Sequence, residues 1–304
     1  MSKLCIYRGK VRDIYDIDED FLLMRATNRV SSFNKHLGIV PGKGIMLNNM
    51  SKFWFEKTSH IINNHYVSSK GSNMIVKKCT PIKIEFVVRG YIAGNTSTSL
   101  WTHYSNGERL YCGIEFPDGL VKNQKLTTPV VTPTTKSDND EPISKKDIIK
   151  QNILTSKECD FIYTKALQLF KYGQEIADKA GFILVDTKYE FGKDAAGKII
   201  LIDEIHTPDS SRYFIKDGYQ ERQDKGLPQK QLSKEFVRQF LISKGFQGIE
   251  GQKIPDLNQE WINSVSKRYI ELYERMTGIP FLPASSENIP ARIQENIEKF
   301  ISNF

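Results

Sequence analysis

Short apolar runs separated by polar turns dominate the first part of the chain. Residues 4–8, 11–16 and 21–27 are β-prone runs of this kind, with glycine or acidic residues between them. This pattern predicts an antiparallel meander. Apolar residues at helical spacing then follow a Pro-Gly turn, which predicts a helix over residues 44–62.

A helix in the middle of the chain has clear start and stop signals. Thr155 and Glu158 have the spacing of a capping box, and Gly181 is a typical helix stop. Three prolines punctuate a polar stretch before it, so residues 120–144 are expected to form a long loop. The remaining pattern predicts strands over residues 74–79, 83–92, 182–191 and 198–205 and helices over residues 232–244, 258–277 and 288–304.

These elements together predict an α+β fold with two domains. A break at Thr80 and Pro81 is expected to divide a small antiparallel β lobe, residues 1–80, from a larger α/β lobe, residues 81–304. With 304 residues, of which 39% are hydrophobic, the chain can bury a substantial core.

Composition limits where the protein acts. No stretch approaches the ~18 apolar residues of a membrane span, and the first 13 residues are too polar for a signal peptide. We therefore expect a cytoplasmic protein with no membrane partner. The four cysteines lie far apart, so neither a zinc site nor a disulfide framework is predicted.

The net charge of +7 predicts affinity for anions, which include nucleic acid, acidic lipid and phosphorylated metabolites. A nucleic-acid binder typically clusters its cations among aromatic residues. Here 43 Lys and Arg are dispersed among 36 Asp and Glu. This dispersion disfavours the alternative of a non-enzymatic nucleic-acid binder, whose binding would be steeply salt-dependent.

An acidic hairpin carries the strongest chemical signal. Strand alternation places Asp186, Lys188 and Glu190 on one face of the predicted strand. A two-residue turn at Ala196-Gly197 would place Glu190 directly opposite Asp203. Two facing carboxylates need a cation, and Mg²⁺ is usually held by one or two carboxylates plus substrate phosphates. The alternative is a solvated hairpin in which Lys188 neutralises its neighbours.

The segment that follows this hairpin predicts anion binding. Thr207 to Arg212 combines a proline-initiated turn, two serine hydroxyls and a guanidinium, which are groups that bind phosphate or carboxylate. Such turns are also common as purely structural features. His206 is a candidate general base, although nothing in the sequence pairs with it.

A basic glycine turn near the N-terminus is a candidate phosphate site. Arg8, Lys10 and Arg12 alternate around Gly9 at a predicted hairpin tip, where backbone and lysine can approach phosphates. The Walker pattern is absent. A basic solvent-exposed face is the alternative.

Six ordered blocks resemble the SAICAR synthetase family, whose members are ATP-dependent carbon–nitrogen ligases of purine biosynthesis. Each block alone is weak evidence, but their common order makes coincidence improbable. The blocks are RGKVRDIY at 8–15, PGKG at 41–44, VRGYI at 88–92, TPTTK at 132–136, VDTKYEFG at 185–192, and the segment 203–212 with its DE and PDSSR motifs.

The resemblance implies a two-lobed fold with an ATP cleft between the lobes. It also implies the reaction of a phosphoribosylaminoimidazole-succinocarboxamide synthase, in which ATP, L-aspartate and carboxyaminoimidazole ribonucleotide give SAICAR, ADP and phosphate with Mg²⁺. An acyl phosphate is the expected intermediate, because a free carboxylate resists attack by an amine.

The resemblance also implies roles for individual residues. Glu190 and Asp203 are expected to bind Mg²⁺, and Asp186, Lys188 and Arg212 to be catalytic, with Arg212→Ala losing turnover while folding normally. ATP is expected to contact Gly9, Lys10, Val11, Arg12, Val76, Pro81, Ile82 and Lys136. The other substrates are expected to contact Arg89, Ser99, Asp209, Ser211, Arg212 and Glu141.

Two departures from the family pattern leave alternatives open. Residues 95–98 interrupt the motif before Ser99, so Asn95 is an alternative to Ser99. Asp140 and Glu141 are both candidates for an acidic residue near the substrates. A small-molecule kinase would need the same features, and a requirement for aspartate distinguishes the ligase from it. The oligomeric state does not follow from the sequence.

Overall fold

The computed structural model describes residues 5–33, 35–96, 98–137, 140–232, 234–282 and 289–302. In these ranges no helix is long and apolar enough to cross a membrane. The chain divides into two compact units, one comprising Met1–Phe53, His65–Lys78 and Phe236–Phe304 and the other comprising Trp54–Asn64 and Cys79–Glu235.

The strands and helices of the described ranges are numbered in chain order. The strands are β1 (Cys5–Arg8), β2 (Arg12–Asp16), β3 (Phe21–Ala26), β4 (Arg29–Ser32), β5 (Lys35–Ile39), β6 (Tyr66–Lys70), β7 (Asn73–Lys77), β8 (Thr80–Tyr91), β9 (Leu110–Tyr111), β10 (Ile114–Glu115), β11 (Lys125–Thr135), β12 (Phe182–Lys193), β13 (Ile199–Ile202) and β14 (Ser211–Ile215). The helices are α1 (Lys43–Thr58), α2 (Leu100–Ser105), α3 (Lys145–Lys150), α4 (Ser156–Lys179), α5 (Tyr219–Asp224), α6 (Glu235–Ser243), α7 (Gln259–Thr277) and α8 (Ile289–Ser302).

The first unit is built on a five-stranded antiparallel sheet in the order β1-β2-β3-β7-β6. The predicted meander is confirmed by β1, β2 and β3, and the predicted helix by α1, which ends four residues earlier than expected. Its core joins apolar residues of β3, β4 and α1 to those of the C-terminal helices: Ala26, Val30, Met46, Leu47, Val237, Leu241, Trp261, Val265 and Tyr269.

This core explains a difference from the predicted division at residue 80. Helices α6 and α7 fall in residues 81–304, which were expected to form the larger lobe. Their apolar faces instead pack with the N-terminal sheet unit. Of the predicted C-terminal helix, residues 288, 303 and 304 lie outside the described ranges.

The second unit contains a five-stranded sheet in the order β11-β8-β12-β13, with β14 also paired to β12. Helix α4 packs against β8, β11 and β12 through a buried face that includes Ile162, Leu169 and Phe170. Its predicted capping box at Thr155 and Glu158 is confirmed.

The predicted loop over residues 120–144 is wrong in its middle part, which forms the long strand β11. Proline is excluded from central strands because it lacks a donor, but it is tolerated at sheet edges and irregularities. β11 is an edge strand, and its register against β8 shifts between Lys125 and Val130, around Pro129. Residues 138 and 139 of this loop lie outside the described ranges.

Candidate active site

The predicted alternation along β12 is confirmed by the contacts on its two faces. The Thr187 hydroxyl lies 2.7 Å from the Ser211 hydroxyl, and the Tyr189 hydroxyl lies 2.5 Å from His206 Nε2, all four side chains being buried. Asp186, Lys188 and Glu190 therefore share the opposite face of the strand.

Lys188 lies at the centre of an acidic cluster on this face. Its Nζ is 2.5 Å from Glu190, 3.1 Å from Asp203 and 3.3 Å from Glu85. Burial alone would lower the pKa of Lys188, but the Glu190, Glu85 and Asp203 carboxylates raise it well above its usual value. Lys188 is therefore held as a cation.

Glu85 was not predicted as a site residue. It lies in β8 directly opposite Glu190 of β12. The sequence contains no local signal for this pairing, because the two residues are brought together only when β8 and β12 align. Predicting that Glu85 lies opposite Glu190 would have required an alignment of β8 with β12 from the apolar patterns of both strands.

The predicted cross-strand pairing of Glu190 with Asp203 is wrong by one residue, because Glu190 pairs with Ile202. The hairpin has a three-residue loop, closed by the 2.9 Å bond from Asp194 N to Lys198 O, instead of the expected two-residue turn. A one-residue shift would normally turn a side chain to the other face. Asp203 instead adopts a left-handed backbone, with φ 65°, and its carboxylate meets Lys188.

Lys136 joins the cluster from the end of β11. Its ammonium forms an ion pair with the second carboxylate oxygen of Glu190. Burial would raise the pKa of Glu190, but Lys188 and Lys136 outweigh it and hold the pKa below its usual value. Glu190 is therefore an ionised, nearly buried carboxylate with a cation on each oxygen.

A second charged cluster surrounds Arg212 of β14. Its guanidinium forms ion pairs with Asp186 and, at 3.1 Å, with Glu235, and all three side chains are buried. Arg89 of β8 approaches Asp186 at 3.9 Å and donates from Nε to the Thr132 hydroxyl at 2.7 Å. The predicted residues Asp186, Arg89 and Arg212 are therefore neighbours, and Glu235 is a member that was not predicted.

Ser99 and Asn95 both lie next to this cluster. The Ser99 hydroxyl accepts a 3.0 Å bond from Thr96 N, and an ideal Cβ on Gly94 would lie 2.3 Å from Ser99 Oγ and 3.3 Å from an Arg212 amino nitrogen. The Asn95 amide donates to Glu235 at 2.6 Å, and Asn95 also accepts from Lys122. Gly94 is thus required for the close approach of Ser99. Ser97, within the same interruption, lies outside the described residues.

The turn from Thr207 to Ser211 is held by its own hydroxyls. Thr207 N donates to Ser210 Oγ at 3.1 Å, and Thr207 Oγ1 donates to Glu204. Asp209 is a distant ion-pair neighbour of Lys234 at 3.9 Å. The turn therefore delivers Asp209 and Ser211 to the end of β14 in a fixed conformation.

His206 does not have the environment of a general base. It is fully buried, and burial lowers its pKa to about 3. Its Nε2 bonds the Tyr189 hydroxyl, its carbonyl accepts a 2.8 Å bond from the Tyr213 hydroxyl, and its ring packs edge-on against Trp54 with centroids 4.4 Å apart. The general-base hypothesis is therefore wrong, and His206 is a neutral residue of the core.

The glycine turn of the first unit forms the predicted hairpin tip between β1 and β2. Gly9 N donates to Arg12 O at 2.7 Å, and Lys10 is exposed at the tip. Val11 O accepts bonds from Thr27 N and Oγ1, which fixes the base of the turn. Val76 is buried in β7 of the same sheet.

The remaining predicted residues lie in the second unit. Pro81 and Ile82 open β8. Glu141 is exposed, while its carbonyl accepts a 2.9 Å bond from Thr135 N. Asp140 precedes it with a left-handed backbone, φ 49°. These contacts do not distinguish the roles of Asp140 and Glu141, so both stay predictions.

A site that gathers the cations of Lys188, Lys136, Arg89 and Arg212 among carboxylates is typical of an enzyme that binds several anionic groups at once. The carboxylates of Glu190 and Asp203 converge on the Lys188 ammonium, so two oxygen donors are already directed at a cation. Within the described residues, no group of three or more His, Cys, Asp or Glu side chains has an arrangement suited to hold a metal ion.

Comparison with known proteins identifies the family. The family model described as SAICAR synthetase matches residues 5–253. The phosphoribosylaminoimidazole-succinocarboxamide synthase of Flavobacterium psychrophilum is 47% identical over 303 residues, which cover 98% of this chain and 95% of that protein.

Solved structures agree with this match. A Saccharomyces cerevisiae SAICAR synthase in complex with SAICAR has a TM-score of 0.78 and 32% identity, covering 92% of this chain and 96% of that chain. A SAICAR synthetase in complex with ADP has a TM-score of 0.68 and 26% identity, covering 91% and 99%. The predicted α+β fold is confirmed.

The chain belongs to the SAICAR synthetase family. It is an ATP-dependent ligase of purine biosynthesis that uses aspartate, and the resemblance inferred from the six blocks is confirmed. Family membership does not favour the kinase alternative.

Proposed function

We propose that the protein joins L-aspartate to carboxyaminoimidazole ribonucleotide, with ATP cleaved to ADP and phosphate. The observation that carries this proposal is the common face of β12, where Asp186 adjoins Arg89 and Arg212 while Lys188 adjoins Glu190 and Asp203. The printed descriptions of two related structures, one with SAICAR and one with ADP, support a nucleotide and a ribonucleotide as ligands.

Two bond exchanges are required. A carboxylate oxygen of the ribonucleotide attacks the γ-phosphorus of ATP, the bond to the β-phosphate oxygen breaks, and ADP leaves. The aspartate amine then attacks the acyl carbon, phosphate leaves with the electron pair, and the nitrogen loses a proton. The first exchange depends on positioning and on neutralising phosphate charge, since ATP and its acceptor are both anions.

The cations of the site supply this neutralisation. Lys188 is held charged by three carboxylates, and Lys136 is about one-third exposed, so its ammonium is accessible to phosphate oxygens. We assign Gly9, Lys10, Val11, Arg12, Val76, Pro81 and Ile82 with Lys136 to ATP. Arg89, Arg212, Ser99, Asp209, Ser211 and Glu141 are assigned to the other substrates.

Mg²⁺ is proposed as the metal, with Glu190 and Asp203 as its protein ligands. Their oxygens already converge on the Lys188 ammonium, which supports a cation at this position. The ion would neutralise phosphate charge when bound. Two carboxylates suffice, because Mg²⁺ takes its remaining ligands from water and phosphates. The cytoplasmic location stays a prediction.

The test is an ADP-release assay in which ATP, aspartate and the carboxylated ribonucleotide are omitted in turn. We expect ADP release only with all three substrates and a product whose mass equals the sum of aspartate and ribonucleotide less water. Stable phosphate transfer to the ribonucleotide without aspartate would contradict the proposal. Chelation with EDTA is expected to abolish ADP release, and added Mg²⁺ to restore it.

A further inference from the structure

A cavity separate from the candidate active site lies in the second unit, where three segments meet. These are residues 59–63 after α1, the first turns of α4, and the tip of the β12–β13 hairpin. It is a shallow recess that is open to solvent, with a volume of about 530 Å³. No residue assigned above to ATP, metal or substrates lines it.

The cavity is lined by more positive than negative charge. Lys157, Lys165 and Lys198 contribute ammonium groups, and Glu158 is the acidic residue of the lining. Glu158 is already engaged, since it pairs with Lys193 at 2.5 Å and accepts from Thr155 N at 2.8 Å. Among the residues that the structure describes, the ammonium groups of Lys157 and Lys198 have no hydrogen-bond or ion-pair partner.

One wall of the cavity is apolar. Phe161 of α4 is 41% exposed, so part of its ring faces solvent. The Lys165 ammonium lies 5.8 Å from the centroid of this ring. Three isoleucines from the other two segments extend the apolar surface. An aromatic face beside ammonium groups suits a ligand that combines a flat ring with an anionic group.

We propose that this cavity binds a mononucleotide, with its phosphate between Lys157 and Lys198 and its base against Phe161. The two lysines come from different elements, α4 and the hairpin tip, and both line the cavity. A phosphate has several oxygens and can therefore accept from more than one ammonium group. This site is distinct from the ATP site proposed above. It requires only non-covalent binding and leaves the ligase reaction unchanged in stoichiometry.

The test uses AMP as the probe and calorimetric titration of the whole protein without any other nucleotide, because ADP carries the same base and phosphate groups and would compete for the cavity. Binding that the double variant Lys157→Gln, Lys198→Gln weakens is assigned to the cavity, and binding that it leaves unchanged is assigned to the proposed ATP site. We expect the wild type to bind one AMP per chain at the cavity, and this binding to be at least about tenfold weaker in the double variant, since each charge-assisted phosphate bond is lost. The matched control is Lys171→Gln, Lys179→Gln, which removes two exposed charges from the far half of α4 and is expected to bind as the wild type does.

Phe161→Ser tests the ring contribution without changing charge, and is also expected to weaken AMP binding about tenfold. Inorganic phosphate is expected to bind at least about tenfold more weakly than AMP. Equal AMP affinity in the wild type and the Lys157, Lys198 double variant would overturn the site, as would equal loss in the control. Equal affinity for AMP and phosphate would overturn the nucleotide assignment.

The same proteins are assayed for aspartate-dependent ADP release without AMP. We expect unchanged turnover in both double variants, because the altered lysines are surface residues outside the active site. A wild type that lacks this activity but binds AMP at the cavity refutes the proposed function and leaves the cavity site intact. The reverse result refutes only the cavity site.

Discussion

The surroundings of Arg212 change the effect expected from its replacement. The family resemblance implied that Arg212→Ala would lose turnover while folding normally. Arg212 is buried between Asp186 and Glu235, so its removal takes away a buried cation that pairs with both carboxylates. Breaking a buried ion pair costs about 3–5 kcal/mol.

We therefore predict that Arg212→Ala loses turnover and also loses about 3–5 kcal/mol of unfolding free energy. Urea unfolding and the ADP-release assay measure the two effects. The control is Lys225→Ala, which breaks the exposed Lys225–Glu221 pair and is expected to cost less than about 1 kcal/mol. Wild-type stability of Arg212→Ala would contradict the buried pairing.

His206 predicts a specific pH dependence of stability. Its pKa is about 3 in the folded protein and 6.5 when unperturbed, so the unfolded chain binds a proton that the folded chain does not. The free energy of unfolding therefore has its full value, as far as His206 is concerned, above the unfolded pKa, and it decreases as the pH falls from about 6.5 toward 3. At pH 5, which lies about 1.5 units below the unfolded pKa, the decrease in unfolding free energy is about 2 kcal/mol, at about 1.36 kcal/mol per pH unit.

The variant His206→Asn tests this linkage, because asparagine tolerates the left-handed backbone at this position and does not titrate. We expect the difference in unfolding free energy between pH 7 and pH 5 to be about 2 kcal/mol smaller in the variant than in the wild type. Urea unfolding at both pH values gives this difference whatever the absolute stability of the variant. If the unfolding free energies of the two proteins change equally between pH 7 and pH 5, His206 is already protonated in the folded state at pH 5.

Among the elements, α4 contains a glycine, Gly173, that we expect to stabilise the protein although glycine disfavours helix formation. Gly173→Ala should stabilise a helix by about 1 kcal/mol in an open position. At Gly173 an ideal Cβ would lie 2.4 Å from His206 Cε1 and 2.9 Å from Leu184 Cδ2, both of which are buried. Overpacking of this kind costs about 1–3 kcal/mol.

We predict that Gly173→Ala lowers the unfolding free energy by up to about 2 kcal/mol, which is the overpacking cost of about 1–3 kcal/mol less the propensity gain of about 1 kcal/mol. Lys171→Ala on the exposed side of the same helix is the control and is expected to change stability by less than about 0.5 kcal/mol. Thermal unfolding of both variants provides the comparison. A more stable Gly173→Ala protein would show that His206 moves without cost.

The accuracy of the predictions made from the sequence differs between the elements. The capping box at Thr155 and the alternation along β12 are local signals, and both were read correctly. The hairpin register was off by one residue, because the Asp194 side chain accepts bonds from Ala196 N and Lys198 N and stabilises a longer loop. Such side-chain bonding depends on a conformation that the Ala-Gly pair alone did not indicate.

For the candidate active site, too, the sequence predicted only some of the residues. Lys188, Glu190, Asp203, Asp186 and Arg212 were inferred from one segment of sequence and from the family resemblance. Glu85 and Glu235 were missed, because each reaches its cluster only through the alignment of distant strands and helices. Residues that complete a charge cluster from another element carry no local pattern of their own.

At the scale of the whole molecule, the C-terminal helices contribute part of the apolar core of the first unit. Trp261 of α7 is 7% exposed and belongs to the core shared with β3, β4 and α1. We predict that Trp261→Ala costs about 3–5 kcal/mol. Hydrogen exchange should show the loss in β2 and β3, although these strands lie more than two hundred residues earlier in sequence.

Trp101→Ala is the matched control for this prediction. Trp101 packs against a separate apolar cluster of the second unit, which includes Leu100, Tyr104 and Tyr111. Its replacement should leave hydrogen exchange in β2 and β3 unchanged. Equal protection of these strands in both variants would contradict the assignment of α7 to the first unit.

The left-handed backbone of Asp203 restricts which residues evolution can place there. Its φ of 65° is tolerated mainly by glycine, asparagine and aspartate, and of these only aspartate carries a carboxylate. Glutamate, which would keep the charge, is disfavoured by the conformation, and asparagine, which would keep the conformation, lacks the charge. Backbone conformation and charge together therefore favour aspartate at this position. The variant Asp203→Asn removes the charge while keeping a residue that tolerates the conformation.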